Sequence, residues 1–128
     1  FLDAWNYTVF PNFHPWGAFN RIVYRFRPNG DDHQSCIYEI MYLAPFSGDR
    51  PMPADIVELG PDDPWSNAPS LEKLAMVVEQ DSFNMEKVHE GMKVLRREGV
   101  MLSGYQEALI RWRHDLLEEY VEKGPVKP

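Results

Sequence analysis

Asp81 is the residue of this 128-residue chain whose type and position most strongly suggest chemistry. It interrupts an apolar stripe with steps of three and four residues, where the pattern predicts Leu or Val. Val77 and Val78 lie one helical turn before it and Met85 one turn after it. An ionised carboxylate on a buried helix face is costly unless it is paired, hydrogen-bonded or bound to a metal. Asp81 therefore requires a partner if this face is buried.

The stripe leaves two interpretations of Asp81 open. Under the first, the carboxylate binds a metal ion or a polar partner, and the amides of Gln80 and Asn84 hydrogen-bond to it. Under the second, the helix bends or ends in the helix-poor stretch 82–84, and Asp81 is a solvated cap of a second helical segment. The pattern alone does not choose between them.

His14 is the histidine whose position suggests contact with a ligand, because it follows the first predicted strand. Side chains alternate along an extended chain, so Phe10, Asn12 and His14 would point to one side if the strand continued past Pro11. A loop histidine that packs on Trp16 is an equally good interpretation. Surface or packing roles are expected for the remaining histidines, which are His33, His89 and His114.

Charge and cysteine content exclude several classes of function. Twenty acidic against thirteen basic side chains give a net charge of −7, which repels phosphate backbones and anionic lipid surfaces. Neither a nucleic acid nor a membrane is expected as a partner, and without a signal-peptide pattern a cytoplasmic protein is expected. The single cysteine, Cys36, excludes an internal disulfide and a multi-cysteine metal site, and is expected to be buried and inert.

Strands are predicted in the first half of the chain and helices in the second. Aromatic and β-branched residues predict strands at 5–10, 19–26 and about 35–44, with a further short strand at 54–59. Turn residues at 28–32 join the second and third strands as an antiparallel hairpin. One helix is predicted from an N-cap at Ser70 to about residue 95. A second begins at Ser103, where Gln106 has the spacing of a capping box, and ends at Lys123 and Gly124.

This element order indicates an α+β domain in which a curved antiparallel sheet wraps around a long C-terminal helix. The first residue is not Met and leads directly into an aromatic stretch. We therefore expect the chain to begin inside a domain whose upstream elements lie elsewhere.

Four motifs occur in a characteristic order: NYTVFPN at 6–12, RPNGDD at 27–32, LAP at 43–45 and EQDSFNM at 79–85, which leads to Gly91. The ordered set resembles the C-terminal part of the catalytic domain of Rieske-type non-haem iron aromatic-ring-hydroxylating oxygenases, alpha (large) subunit. The similarity covers nearly the whole chain, 1–128. It implies a helix-grip fold of the START or Bet v 1 type, incomplete at the N-terminus and without the Rieske domain.

The resemblance implies a role for Asp81. In that family the aspartate of the Gln-Asp-x-x-Asn motif binds mononuclear Fe(II) together with two histidines. Gln80 and Asn84 would then hydrogen-bond to the ligand carboxylate. Five residues are expected to line the substrate pocket, namely Phe10, Asn12, His14, Val77 and Val78.

The resemblance also implies the activity of the parent enzyme. Electrons from NAD(P)H would pass through a reductase, often with a ferredoxin, to a [2Fe–2S] Rieske cluster and then to the iron, for hydroxylation of an aromatic or related apolar substrate by dioxygen. The parent is expected to be a homotrimer or an α3β3 assembly. The H-x4-H pair of iron ligands and the Cys-His pairs of the cluster are not present in this chain. Alone, the chain is expected to be inactive.

A metal-free START-like module that binds a hydrophobic ligand is the alternative, because one architecture serves both functions. Under this alternative Asp81 is a cap or a hydrogen-bonded core residue, and Asp81→Asn leaves ligand binding intact. The Trp and Tyr side chains also suit contacts between subunits.

Overall fold

The computed structural model describes residues 5–18 and 21–124. The strands are β1 (Trp5–Asn6), β2 (Phe13–Gly17), β3 (Ile22–Asn29) and β4 (Asp32–Tyr42), and the α-helices are α1 (Leu74–Lys93) and α2 (Ala108–Lys123). Two short 3-10 helices, Trp65–Asn67 and Pro69–Leu71, precede α1. These elements confirm the α+β class. Within the described ranges, neither α-helix has the length and apolar character needed to cross a membrane.

The chain divides into two compact units. The first comprises Phe1–Leu43 and Val100–Pro128, and its described part contains the sheet and α2. The second comprises Ala44–Gly99 and contains both 3-10 helices and α1.

The sheet has the order β1-β2-β3-β4, and each pair of neighbouring strands is antiparallel. His14 pairs with Tyr24, and Phe26 pairs with Tyr38. Because paired residues share a face and residues two apart in a strand share it too, these four rings lie on one face of the sheet. The Phe26 and Tyr38 rings are stacked with centroids 4.6 Å apart.

The opposite face carries an ion-pair cluster of Glu39 with Arg25 and Arg27. Arg25 is directly paired with Glu39 in the register, and its Nε donates to the carboxylate. Nε of Arg27 donates to the other carboxylate oxygen at 2.8 Å. The bond from Arg25, and next that from Arg27, lower the pKa of Glu39 to about 2.

The β3–β4 hairpin confirms the predicted turn. Gly30 adopts a φ of +57°, a left-handed conformation that glycine accepts without steric cost. The Asp32 carboxylate accepts hydrogen bonds from the Gln34 amide at 2.9 Å and the Ser35 hydroxyl at 2.6 Å. β4 begins at Asp32, three residues earlier than predicted. Cys36 lies near this turn and is exposed, so the prediction of a buried cysteine is wrong.

The first predicted strand is shorter than expected because the chain reverses at 10–12. Val9 and Phe13 exchange backbone hydrogen bonds of 2.8 and 3.1 Å across this turn. The return strand β2 was not predicted, since its sequence contains both Pro15 and Gly17. β3 begins at Ile22; the predicted start at residue 19 lies outside the described residues.

No strand forms at 54–59, so that prediction is wrong. Residues 43–60 contain neither helix nor strand, and Ile56 is 89% exposed. Ile56 and Val57 are β-branched and favour a strand, but without a neighbouring strand they gain no ladder of backbone hydrogen bonds.

α1 begins at Leu74 rather than after an N-cap at Ser70. Ser70 lies in a 3-10 helix, and Glu72 then adopts a φ of +47°, which interrupts helical geometry. From Leu74 the helix is continuous to Lys93. The helix does not end near Asp81, so its interpretation as the cap of a second helical segment is wrong, whereas the solvated position that this interpretation expected is confirmed.

The buried side of α1 packs in the second unit against the preceding 3-10 helices. Val78 is fully buried, and Leu71 and Ala75 are 5% and 6% exposed. Trp65 fixes this packing, because its indole Nε1 donates to the Ser82 hydroxyl at 2.9 Å.

α2 begins at Ala108 with Glu107 as its N-cap residue, so the predicted helix start at Ser103 and the predicted capping box with Gln106 are wrong. Ser103 and Glu107 are instead joined by two hydrogen bonds in the loop that precedes the helix. The Glu107 carboxylate accepts from the Ser103 amide, and the Glu107 amide donates to the Ser103 hydroxyl at 3.2 Å. The charged carboxylate of Glu107 accepts a stronger hydrogen bond than the neutral amide of Gln106 would, which favours the pairing of Ser103 with Glu107. Gly124, at φ +67°, ends the helix as predicted.

Candidate functional site

Asp81 is exposed on α1 rather than buried as the stripe predicted. α1 has one broad apolar surface that is packed on one side and exposed on the other: Ala75 and Val78 are buried, whereas Asp81 lies on the exposed side. Steps of three and four residues join Asp81 to the other members of this exposed side. We call this surface the Asp81 face, and its members are Val77, Asp81, Asn84, Met85, Val88 and Met92.

The Asp81 face is largely apolar and exposed. Val77 is 49%, Met85 42%, Val88 60% and Met92 55% exposed. A soluble helix usually presents one apolar stripe to its core and polar residues elsewhere. An exposed extension of that stripe with one carboxylate and one amide near its centre is typical of a surface that is covered by another part of a structure.

The two predicted partners of Asp81, Gln80 and Asn84, are also exposed. In the described residues, α1 side chains that form hydrogen bonds include Glu79, Ser82 and Lys93, whereas no hydrogen bond joins Asp81 to either amide. Asp81 also makes no ion pair there. Its carboxylate is available to an external partner.

Among residues 5–18 and 21–124, no group of three or more His, Cys, Asp or Glu side chains has the geometry of a metal site. Fe(II) oxygenase sites use three donors on one face of the metal. The described residues can therefore supply one such donor, Asp81, and do not by themselves fit the complete ion site.

The first unit contains a cavity of about 400 Å³ above the aromatic face of the sheet. The strand register determines which side chains form the base of this cavity, because residues two apart in β1, β2 and β3 project to the same side of the sheet. α2 adds one residue. The lining consists of Asn6, Thr8, His14, Tyr24, Phe26 and Arg113.

His14 is the predicted pocket residue that the structure places in this cavity. The ring is partly buried, and its Nδ1 lies 3.3 Å from the Thr8 hydroxyl. Burial first, and then the nearby positive charge of Arg113, lower the pKa of His14. Both causes favour the neutral imidazole, which packs edge-on against Phe26 with centroids 5.8 Å apart.

Phe10 and Asn12 lie in the same unit but do not line the cavity. The Phe10 ring contacts Tyr120 of α2 with centroids 4.9 Å apart. The Asn12 amide donates to the Phe26 carbonyl at 2.5 Å and thereby fastens the β1–β2 turn to β3. Their expected common orientation with His14 fails, because the strand does not continue past Pro11.

Val77 and Val78 lie in the second unit, on different sides of α1. Val77 belongs to the Asp81 face, whereas Val78 is buried in the core of the unit. A smaller cavity of about 280 Å³ in this unit is lined by Pro64, Ser66, Glu72, Ala75, Met76 and Glu79. Neither valine and none of Gln80, Asp81 and Asn84 contributes to it.

Arg113 is the cavity residue that the sequence analysis missed. It lies on α2 among other charged residues, where its spacing gives no distinctive signal. Tyr24 and Phe26 lie in the strand predicted at 19–26 but were not singled out as site residues.

The comparisons with known proteins add no family. No protein-family model matches the chain, and neither the curated proteins nor the solved structures contain a significant match.

Proposed function

We propose that the chain is part of the catalytic domain of a Rieske-type ring-hydroxylating oxygenase, and that Asp81 provides the carboxylate ligand of its mononuclear Fe(II). The observation that carries the proposal is the position of Asp81, exposed amid apolar side chains on a continuous helix. The resemblance of EQDSFNM at 79–85 to the family motif supports the same assignment.

The chemistry of the Asp81 face suits this role. The continuous helix gives the carboxylate a defined backbone position, and apolar neighbours exclude water once the face is covered. Asn84, one turn later on the same face, can orient the carboxylate, and Gln80 is its other amide neighbour. Fe(II) bound by one carboxylate and two imidazoles keeps coordination positions open for dioxygen.

The proposal requires that two histidines come from outside the described residues. The helix-grip assignment, START-like or Bet v 1-like, is part of the proposal and is supported by the antiparallel sheet and by α2, which contacts the β1–β2 turn through Tyr120 and Arg113. Phe10, Asn12 and His14 of the first unit are retained as proposed substrate contacts, and in the second unit Val77, beside Asp81, is retained as a further one. Val78 is withdrawn as a substrate contact because it is fully buried.

The proposed parent enzyme hydroxylates an aromatic or related apolar compound. Its partners would be a reductase and a ferredoxin, which deliver electrons from NAD(P)H to a [2Fe–2S] cluster, and these partners would place it in the cytoplasm. A homotrimer or α3β3 assembly belongs to the same proposal.

Iron analysis of the longer polypeptide that contains this chain tests the proposal. The iron content of the native protein, Asp81→Asn and the control Glu86→Gln would be measured, together with the cluster absorbance. We expect Asp81→Asn to lose one iron per subunit and all turnover while the cluster absorbance is retained. Glu86 is an exposed carboxylate on the same helix but outside the Asp81 face, so its substitution should leave the iron content unchanged.

Equal iron content in the native protein and Asp81→Asn would refute the assignment. It would favour the alternative of a metal-free START-like module for a hydrophobic ligand. The cavity of the first unit supports that alternative, because it is lined by aromatic rings and contains a single histidine.

A further inference from the structure

We infer that the cavity of the first unit binds the carboxylate of a small aromatic acid, with Arg113 as the anion-binding residue and the rings of Tyr24 and Phe26 as the contact for the aromatic body. The cavity includes His14, which the proposed function also names as a substrate contact, and the inference specifies the chemical class of the ligand there. It does not require Asp81 or iron, because a metal-free binding module would hold the same ligand in the same way.

Arg113 is held in place but has no acidic partner. Its Nη2 donates to the Pro11 carbonyl at 3.0 Å, which fixes the guanidinium beside the β1–β2 turn. Its Nε is buried and has no hydrogen-bond partner in the described residues. None of the ion pairs among these residues includes Arg113.

A guanidinium that lines a cavity and has no acidic partner favours an anion there, and a carboxylate forms strong charge-assisted hydrogen bonds with it. The planar arrangement of the guanidinium N–H groups matches the two oxygen atoms of a carboxylate. The positive charge of Arg113 thus favours a negatively charged ligand in this cavity.

The other polar groups of the cavity are compatible with an anion. His14 and Thr8 already contact one another, and neither carries a negative charge at pH 7. The Asn6 amide adds a further hydrogen-bond donor to the lining. The six lining residues include no Asp or Glu, so no acidic side chain of the lining repels a carboxylate.

The remaining walls suit an aromatic body. The Phe26 ring is stacked on Tyr38, and Tyr24 packs edge-on against Tyr38 with centroids 5.6 Å apart. Contact with Tyr38 therefore restricts the motion of both cavity rings. Rigid rings offer contact area with little loss of conformational freedom on binding. The volume of about 400 Å³ lies within the usual range for small-molecule sites.

Titration of the 128-residue chain with benzoate, and with neutral benzamide as a ligand of nearly the same shape, tests the inference. Isothermal titration calorimetry would give the dissociation constants, and amide chemical shifts would locate the site. We expect benzoate to bind at least about tenfold more tightly than benzamide, since a hydrogen bond to a charged group contributes about 1.5–3 kcal/mol. The shifts should centre on β1, β2 and β3.

Two variants test the assigned residue. Arg113→Gln should weaken benzoate binding at least about tenfold and abolish the preference over benzamide. Arg21→Gln removes the same charge from an exposed position outside the cavity and should leave the affinity unchanged. Far-ultraviolet circular dichroism would show that both variants retain the fold.

The comparison of the two ligands in the native chain does not depend on how any variant folds. Equal affinities for benzoate and benzamide, or no saturable binding of benzoate, would overturn the inference. Equal weakening by the two arginine substitutions would also overturn it, because the anion would then respond to overall charge and not to Arg113.

Discussion

Val77 and Val78 are adjacent in sequence but differ in burial, and substitution of each by alanine measures that difference. Val78 is fully buried, whereas Val77 is 49% exposed. Val78→Ala removes two methylene equivalents at about 0.8 kcal/mol each and leaves a cavity, so we expect a loss of about 2 kcal/mol in the free energy of unfolding. Val77→Ala removes partly solvated surface and should cost less than about 1 kcal/mol.

Urea denaturation of the chain, followed by circular dichroism, would measure both losses at constant temperature. Equal losses for the two substitutions would refute our description of α1 as a helix with one packed and one uncovered apolar side. In the longer polypeptide, our functional proposal covers the Asp81 face, so there the cost of Val77→Ala should rise toward that of Val78→Ala. A cost that stays unchanged would show that the face remains exposed.

Two further predictions concern the first unit. Because the pKa of Glu39 is lowered to about 2, its ionised form stabilises the fold above the ordinary glutamate pKa of about 4.5, and this stabilisation is lost as the pH falls toward 2. Urea midpoints measured between pH 6 and pH 2 should therefore fall more steeply in the native chain than in Glu39→Gln; parallel curves would contradict the assigned cause. Ser103→Ala removes the hydroxyl that accepts from the amide of Glu107, the N-cap residue of α2, and should cost about 1 kcal/mol. An unchanged urea midpoint would show that this loop hydrogen bond does not stabilise the fold.

Local chemistry explains which elements were predictable. The turn at 28–32 and the end of α2 at Gly124 are determined by residues that accept a positive φ, and both occur where predicted. The pairing of strands that are distant in sequence does not depend on single residues in this way. The strand β2 contains a proline and a glycine, and it forms because β1 and β3 supply partners on both sides.

The candidate site shows the same limit. Periodicity identified the residues that share a side of α1 with Asp81, but it could not tell whether that side is covered, because coverage depends on other segments. The predicted role of Asp81 rests on its motif, whereas its exposure had to be observed. Arg113 was overlooked because a lone arginine in a charged helix has no distinctive local signal.

The contact between Arg113 and the Pro11 carbonyl joins residues 102 positions apart. Closing so long a loop has an entropic cost, and contacts of high sequence separation form late and slow the folding of a domain. During synthesis the sheet strands emerge first and α2 last, with the whole second unit between them. The cavity can therefore close only after α2 has left the ribosome, and until then the aromatic face of the sheet is open to chaperones or to other nascent chains.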